Sequence, residues 1–257
     1  MSAFDGRHAL ITGGGTGIGA AIAEALGSSG VRLSIAGRRR APLEAMASRF
    51  PGTCVIEADV TREADCAAMV EAARTAHGPV DIVIANAGAA ESRSVSRIDL
   101  DHWQRMLDVN LTGAFLTVKA ALPDLVRAGS IDGARRIVFV SSTAGLKGYP
   151  YVAAYCAAKH GVVGLARALA FELARTGVTV NAVCPGFTET PLLDQSIATI
   201  VEKSGRSADD ARATLSAGNP QGRFVKAEEV AASVLWLCMP VSASVTGQAI
   251  SISGGEV

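Results

Sequence analysis

Three side chains that can hold or move a proton stand close together in the middle of this chain. Tyr155 and Lys159 are four residues apart in the segment YCAAK, and Ser142 lies thirteen residues before Tyr155, at the end of the run FVSS. Residues at positions i and i+4 project from the same face of a helix. A free phenol has a pKa near ~10, and an ammonium one turn away is expected to lower it. We therefore predict a site where Ser142 holds a substrate oxygen and Tyr155 exchanges a proton with it.

A glycine-rich turn near the N-terminus supplies a second part of this site. The segment TGGGTGIG spans residues 12–19, between an apolar run that reads as a strand and an amphipathic stretch that reads as a helix. Glycines allow close approach of the backbone to phosphate, and a helix N-terminus adds N–H donors. Alone, a tyrosine and a lysine four residues apart also occur as a surface pair, and a glycine-rich turn also occurs as a tight connection. The strand–turn–helix context of the glycine-rich turn makes the combination specific. Its spacing is TGxxxGIG rather than GxGxxG. The predicted phosphate-binding residues are Gly13, Gly15, Thr16, Gly17, Ile18 and Gly19.

Composition sets bounds on the class of protein. The chain has 257 residues, 49% of them hydrophobic, which is enough for one α/β domain that uses residues 1–257. Lys+Arg and Asp+Glu are balanced at 24 each, so we expect no nucleic-acid or anionic-membrane partner. Five scattered cysteines without a CxxC favour reduced thiols and a cytoplasmic location, and the four histidines have no metal-ligand spacing. We expect no metal, no signal peptide and no membrane span.

Strands and helices alternate along the chain. The predicted strands occupy residues 8–12, 32–36, 54–58, 81–87, 136–142, 178–183 and 248–253. The predicted helices occupy residues 17–29, 41–50, 63–77, 99–128, 153–175 and 227–237. This alternation predicts an α/β fold, a single-domain, Rossmann-like, doubly wound parallel sheet with helices on both faces. Residues 187–222 interrupt it with a polar, Gly/Ser-rich segment around a helical stretch, which reads as a substrate lid or as a surface excursion.

The end of the second strand bears on the choice of cofactor. The strand at 32–36 runs into Gly37, Arg38, Arg39 and Arg40. An NAD site requires Asp or Glu at this point for the ribose hydroxyls, and none is present. Arg38, with Arg39 beside it, is placed to meet a 2′-phosphate, so NADP(H) is favoured and NAD(H) stays possible. The alternative is a solvated basic turn before a helix.

Over essentially the whole chain, these motifs resemble the short-chain dehydrogenase/reductase family. The resemblance is closest to its 3-oxoacyl-thioester ketoreductases, of fatty-acid and polyketide type. The residues that carry it occur in the family's order: TGGGTGIG, Asp59-Val60, Asn86-Ala87-Gly88, Asn110, Ser142, Tyr155, Lys159 and Pro185-Gly186. The small departure is Ala85, where the family often has Asn.

The resemblance implies how a nicotinamide cofactor is held. The implied contacts are Asp59 and Val60 at the adenine, Asn86, Ala87 and Gly88 beside the cofactor, and Thr188 and Thr190, after Pro185 and Gly186, at the nicotinamide amide and phosphates.

The resemblance also implies a mechanism. In reduction, the cofactor delivers hydride to a carbonyl carbon, Tyr155 protonates the developing alkoxide, and Ser142 hydrogen-bonds the same oxygen. Lys159 would lower the Tyr155 pKa and hold the nicotinamide ribose. Asn110 would hold a water that connects Lys159 to solvent. Read without the resemblance, Asn110 is a helix-interior residue satisfied by the backbone.

The resemblance makes a CoA or carrier-protein thioester the expected substrate. Arg93 and Arg97 would meet a phosphate of phosphopantetheine, or are solvated. Leu192, Leu193 and Ile197 offer apolar surface to an acyl chain, or pack as the core of the lid. The rival activity is an alcohol dehydrogenase for a sugar, steroid or small hydroxy compound. The rival class is a nucleotide-sensing protein without catalysis, which should lack one of the three proton-handling side chains.

The two long helices at 99–128 and 153–175 bear on assembly. The run LARALAFELA is apolar over more of its circumference than one sheet contact requires. The resemblance implies that these helices pair between subunits, so we expect a homo-tetramer, with a dimer as the alternative.

Overall fold

Seven parallel strands form one sheet at the centre of the protein. The computed structural model describes residue 4 and residues 6–127 and 135–257. The strands are β1 His8–Thr12, β2 Arg32–Gly37, β3 Cys54–Glu57, β4 Ile82–Ala85, β5 Arg135–Val140, β6 Val178–Pro185 and β7 Ala249–Ile252. Each predicted strand is therefore confirmed, and the α/β fold class with it.

The order of the strands locates a crevice. The sheet runs β3-β2-β1-β4-β5-β6-β7, so the chain builds outward from β1 to β3 and then returns to the other side of β1. Such a reversal opens a crevice at the carboxyl ends of the two central strands, here β1 and β4. The glycine-rich turn follows β1 directly, which places it at the edge of this crevice.

Helices cover both faces of the sheet. They are α1 Gly17–Ser28, α2 Arg40–Ala47, α3 Glu63–His77, α4 Leu100–Leu107, α5 Gly113–Leu125, α6 Ala153–Glu172, α7 Pro191–Ser204, α8 Ala208–Ser216 and α9 Ala227–Cys238. Alternate residues of β1 enter different cores. Leu10 packs with α3, α5 and α6, while Ala9 and Ile11 pack with α1, α2 and α9. Buried parallel strands are apolar on both faces for this reason.

The predicted helix at 99–128 needs a correction. A π-helical turn, Asp108–Thr112, separates α4 from α5, and α5 ends at Leu125; residue 128 lies outside the described residues. The amide of Asn110 donates to Met106 O (3.0 Å) and to Ala89 O (2.9 Å), so it ties this turn to the loop after β4. Asn side chains that compete for backbone groups disturb regular helix. The helices predicted at 41–50 and 153–175 also end earlier, at Ala47 and Glu172.

Residues 187–222 fold around a small core of their own. They contain α7 and α8, where the sequence predicted one helical stretch. Leu193 and Ile197 are buried with Ala211 and Phe224 in this core, whereas Leu192 is 39% exposed. Leu193 and Ile197 therefore pack in the core of this segment, and its role as a lid stays a prediction. Within the described residues, no helix is both long and apolar enough to cross a membrane.

Candidate active site

The segment after β5 positions the Ser142 hydroxyl. Ser142 caps a short 3-10 turn, Thr143–Gly145, and its Oγ accepts a hydrogen bond from Ala144 N at 3.1 Å. Gly145 lets this turn lie against α6, because a Cβ there would come within 2.7 Å of Lys159 O. The cap and the close packing fix the hydroxyl at the carboxyl end of β5.

Helix α6 brings Tyr155 and Lys159 to the same place. The Lys159 ammonium lies 5.6 Å from the Tyr155 ring centroid and donates to Val140 O, at the end of β5, at 2.9 Å. The Ser141 hydroxyl donates to Lys159 O at 3.0 Å, which joins the helix to the strand end. The Ser142 side chain lies close enough to Tyr155 to affect the pKa of its phenol. The structure thus brings together the three residues that the sequence singled out.

Burial controls the electrostatics of this group. It raises the pKa of Tyr155 to about 12, and the neighbouring Ser142 hydroxyl acts in the opposite direction. Burial also lowers the pKa of Lys159 to about 8, because Lys159 is only 4% exposed and its charged form loses solvation. The expected lowering of the Tyr155 pKa by Lys159 is therefore wrong in this structure. The desolvation of the Tyr155 phenol itself is the largest cause of the upward shift.

Asn110 lies beside this group, across Gly88. A Cβ on Gly88 would come within 2.7 Å of Asn110 Oδ1 and 3.6 Å of Lys159 Nζ. Asn110 Oδ1 accepts from Ala89 N at 3.2 Å, and both amide hydrogens go to backbone carbonyls. The side chain is thus satisfied by the backbone, and its role in holding a water stays a prediction.

The glycine-rich turn has the features of a phosphate cradle. Gly13 and Gly17 have φ values of +67° and +53°, which favour glycine. A Cβ on Gly19 would come within 2.2 Å of Gly13 O, so the turn and α1 touch through their backbones. Thr16 precedes α1 without a side-chain cap, and the first turn carries no acid. N–H groups without a side-chain cap, and a helix dipole without a nearby acid, suit a pyrophosphate. These residues therefore fit a nicotinamide dinucleotide.

Asn86 braces this cradle from β4. Its Nδ2 donates to Thr12 O at 2.8 Å and to Gly13 O at 3.3 Å. The backbone N–H groups of Asn86 and Ala87 both donate to Thr12 Oγ1 at 3.1 Å. The predicted residues Asn86 and Ala87 therefore lie at the crevice, and the Asn86 amide shapes the turn.

The far side of the cradle is basic. Arg38 and Arg39 are exposed after β2, and Arg38 lies close enough to Asp59 to help lower the pKa of that carboxyl. The largest cause of that lowering is the backbone N–H of Thr61, which donates to Asp59 Oδ1 at 3.0 Å. Val60 is buried against Gly113 of α5, where a Cβ would come within 2.7 Å of it.

The segment that follows β6 approaches the glycine turn at Thr190. Gly186, after Pro185, donates its N–H to Ile252 O at 3.0 Å. The hydroxyl of Thr188 bonds to Gly186 O at 2.9 Å. The methyl of Thr190 would lie 3.1 Å from a Cβ on Gly17. Of the predicted residues 185–190, Thr190 therefore lies beside the cradle, and the roles of the others stay predictions.

The two arginines predicted to meet a substrate phosphate lie at the rim of the cleft in different environments. Arg93 pairs with Asp99 at 3.3 Å, so its charge is partly neutralised, whereas Arg97 is exposed. Lys203 of α7 donates to Ser92 O at 3.3 Å, which joins segment 187–222 to the loop after β4.

Sequence reasoning missed one group beside Ser142. Tyr149, Lys147 and Glu256 meet there through side-chain contacts. A contact between residue 149 and a residue 107 positions later leaves no signal in local spacing.

Fold and site together define a nicotinamide-dependent oxidoreductase, and known proteins give the family. Residues 7–200 match the family described as short chain dehydrogenase. D-beta-hydroxybutyrate dehydrogenase of Rhizobium meliloti is 33% identical, over 97% of this chain and 98% of that protein. A variant of actinorhodin polyketide ketoreductase, solved with NADPH, has a TM-score of 0.92 at 36% identity and covers 100% and 99% of the two chains. The 3-ketoacyl-(acyl-carrier-protein) reductase from Brucella melitensis, solved with NADH, has a TM-score of 0.88 at 31% identity and covers 99% of each chain. This chain belongs to the short-chain dehydrogenase family and is an oxidoreductase.

Proposed function

We propose that this oxidoreductase reduces the ketone of a 3-oxoacyl thioester to an alcohol with NADPH. The observation that carries the proposal is the joint placement of Ser142, Tyr155 and Lys159 beside the glycine cradle. Two structural relatives, a polyketide ketoreductase and a 3-ketoacyl-(acyl-carrier-protein) reductase, support the substrate class.

In this proposal, Ser142 and Tyr155 act on the carbonyl oxygen of the substrate, and Lys159 acts on the cofactor. The cofactor, when bound, supplies the hydride. Ser142 donates a hydrogen bond to the carbonyl oxygen and orients it. Tyr155 donates its proton to the same oxygen as negative charge develops there. Lys159, whose ammonium is anchored by Val140 O, would hold the nicotinamide ribose of the bound cofactor.

NADP(H) is the proposed cofactor because of charge at the end of β2. Arg38 and Arg39 are exposed there, and no acid occupies residues 37–40. A guanidinium recognises a 2′-phosphate through charge-assisted hydrogen bonds, whereas an NAD site uses a carboxylate.

The thioester substrate is proposed for the cleft between the lid and the loop after β4. Exposed Leu192 at the start of α7 offers apolar surface to an acyl chain, and exposed Arg97 offers a charge to a phosphopantetheine phosphate. We also propose a homo-tetramer in the cytoplasm. Phe171 of α6 is 88% exposed, and the five cysteines are free thiols.

The test is a spectrophotometric screen that follows reduced nicotinamide. Acetoacetyl-CoA, a cyclic ketone and a set of alcohols are each offered with both cofactors. We expect the thioester with NADPH to give the highest kcat/KM. Turnover of alcohols alone would replace this proposal with the alcohol dehydrogenase.

Tyr155→Phe tests the proposed acid in the same assay. It keeps the ring and removes the proton, so kcat should fall by ~10²–10⁴-fold while NADPH still binds. The matched control is Tyr151→Phe, since Tyr151 is 67% exposed and offers its backbone carbonyl, not its phenol, to Arg93. A Tyr155→Phe enzyme that keeps a tenth or more of the wild-type turnover would remove Tyr155 from this role.

A further inference from the structure

The carboxylate of Glu256, one residue from the end of the chain, is buried beside the proposed catalytic segment. Its side chain is only 4% exposed. Glu256 Oε1 lies 3.0 Å from Lys147 Nζ and 2.6 Å from the Tyr149 hydroxyl. A Cβ on Gly186 or Gly218 would come within 3.3 Å or 3.1 Å of its oxygens, so two glycines leave it room. A charged group with this burial needs partners, and both partners come from one loop.

The direction of the hydrogen bonds follows from proton counting. The Tyr149 oxygen is 2.6 Å from both Thr143 Oγ1 and Glu256 Oε1, but a phenol has one proton. An ionised carboxylate only accepts, so Tyr149 donates to Glu256 and Thr143 donates to Tyr149. The bond to Glu256 raises the pKa of Tyr149, after burial as the larger cause, and the bond from Thr143 lowers it.

This chain of hydrogen bonds joins three separate segments. Thr143 follows Ser142 directly and lies in the 3-10 turn that Ser142 caps. The ring of Tyr149 meets the ring of Phe187, at the base of the lid, edge to face with 6.2 Å between centroids. Glu256 therefore connects the C-terminal end of the chain both to the loop between Ser142 and Tyr155 and to the lid.

We propose that Glu256 is a positioning residue for the ketone substrate, which acts by holding Tyr149 between the Ser142 turn and the lid. The kinetic part of this inference rests on the proposed function. Lys147, whose ammonium lies 3.0 Å from Glu256 and 5.0 Å from the Tyr149 ring centroid, balances the buried charge. A merely structural ion pair would stabilise the fold without affecting how the substrate oxygen is held.

The kinetic test is a double-mutant cycle of Glu256→Ala and Tyr149→Phe. Each single variant should lower kcat/KM for the ketone by about tenfold, which corresponds to about 1.4 kcal/mol, with the Kd of NADPH within about twofold of wild type. The double variant should stay within about threefold of Glu256→Ala, because both changes break one connection. Losses that multiply to about a hundredfold would overturn the proposal.

Two further variants separate positioning from folding. Glu256→Gln keeps an oxygen that accepts from Tyr149, so it should recover most of the activity that Glu256→Ala loses. Glu172→Gln is the matched control, since Glu172 is exposed at the end of α6, and it should behave like wild type. If Glu256→Gln is as impaired as Glu256→Ala, the connection through Tyr149 is not what matters.

A second readout needs no substrate. Hydrogen–deuterium exchange of residues 143–151 and 187–190 should rise in Glu256→Ala and Tyr149→Phe, and stay unchanged in Glu172→Gln. Wild-type protein that reduces no ketone would refute the proposed function and leave this readout intact. Unchanged exchange in Glu256→Ala would overturn the positioning role, whatever the substrate is.

Discussion

Arg38 offers the sharpest test of cofactor choice, because its guanidinium can be removed and a carboxylate can be introduced next to it at Gly37. The guanidinium is exposed at the end of β2, and it helps to lower the pKa of Asp59. Gly37 precedes it with φ outside the left-handed region, and a Cβ there would meet only the Leu43 methyls, at 3.8 and 3.9 Å. Both Arg38→Ala and Gly37→Asp should therefore fold normally.

The expected magnitude follows from the kind of contact. A hydrogen bond to a charged group contributes about 1.5–3 kcal/mol, and solvent and salt reduce this at an exposed site. We take about 1.4 kcal/mol, so Arg38→Ala should raise the Kd of NADPH about tenfold. NADH lacks the 2′-phosphate, and its Kd should change by less than about twofold. Adding Gly37→Asp should repel the phosphate further and offer a carboxylate to the ribose of NADH.

The measurement is a pair of dissociation constants for each variant, by titration calorimetry at low and high salt. Arg40→Ala is the matched control. Arg40 is already paired with Glu44 at 2.7 Å, so its removal should leave both constants unchanged. The loss of NADPH affinity in Arg38→Ala should shrink at high salt. Equal losses for NADPH and NADH in Arg38→Ala would show that this arginine only supports the turn.

Two further predictions concern stability and assembly. Because burial lowers the Lys159 pKa from 10.5 to about 8, the unfolded chain binds more protons between these values. The unfolding free energy of wild type relative to Lys159→Met should then rise by roughly 3 kcal/mol from pH 8 to 10.5. Urea unfolding without nucleotide measures it, and a pH-independent difference would contradict the burial argument. Phe171→Glu should dissociate the assembly in light scattering without unfolding the subunit, and a wild-type mass near 26.3 kDa would refute the assembly itself.

The sequence predicted the fold well because hydrophobic periodicity and turn residues act locally. The strand at 8–12 was found to the residue, since a continuous apolar run before TGGGTGIG has few other readings. The helix at 63–77 was also found to the residue, and it ends before Gly78, whose φ is +79°. Glycines with positive φ end helices sharply, and they are visible in a sequence.

What the sequence did not predict depends on contacts between distant segments. The π-helical turn at Asp108–Thr112 accompanies a bond between Asn110 and the carbonyl of Ala89, 21 residues away. The apolar run around Phe171 does not say which face of α6 meets the sheet, so the sequence left the orientation of Phe171 open. In the structure, the Phe171 side chain faces outward. The partnership of Tyr149 with Glu256 is of the same kind.

The pKa shifts at the site bear on the pH dependence of the proposed reaction in its two directions. Spacing alone suggested a phenol made more acidic by Lys159, which would suit a proton acceptor as well as a donor. The structure instead raises the pKa of Tyr155 to about 12, so at neutral pH the phenol keeps its proton. Reduction needs that proton, and the alkoxide that forms is a stronger base than a phenolate, so the transfer runs downhill. Oxidation of an alcohol needs the phenolate, which burial disfavours. The arrangement of Ser142, Tyr155 and Lys159 therefore predicts that alcohol oxidation gains rate as the pH rises towards the Tyr155 pKa, whereas ketone reduction already has its proton donor at neutral pH.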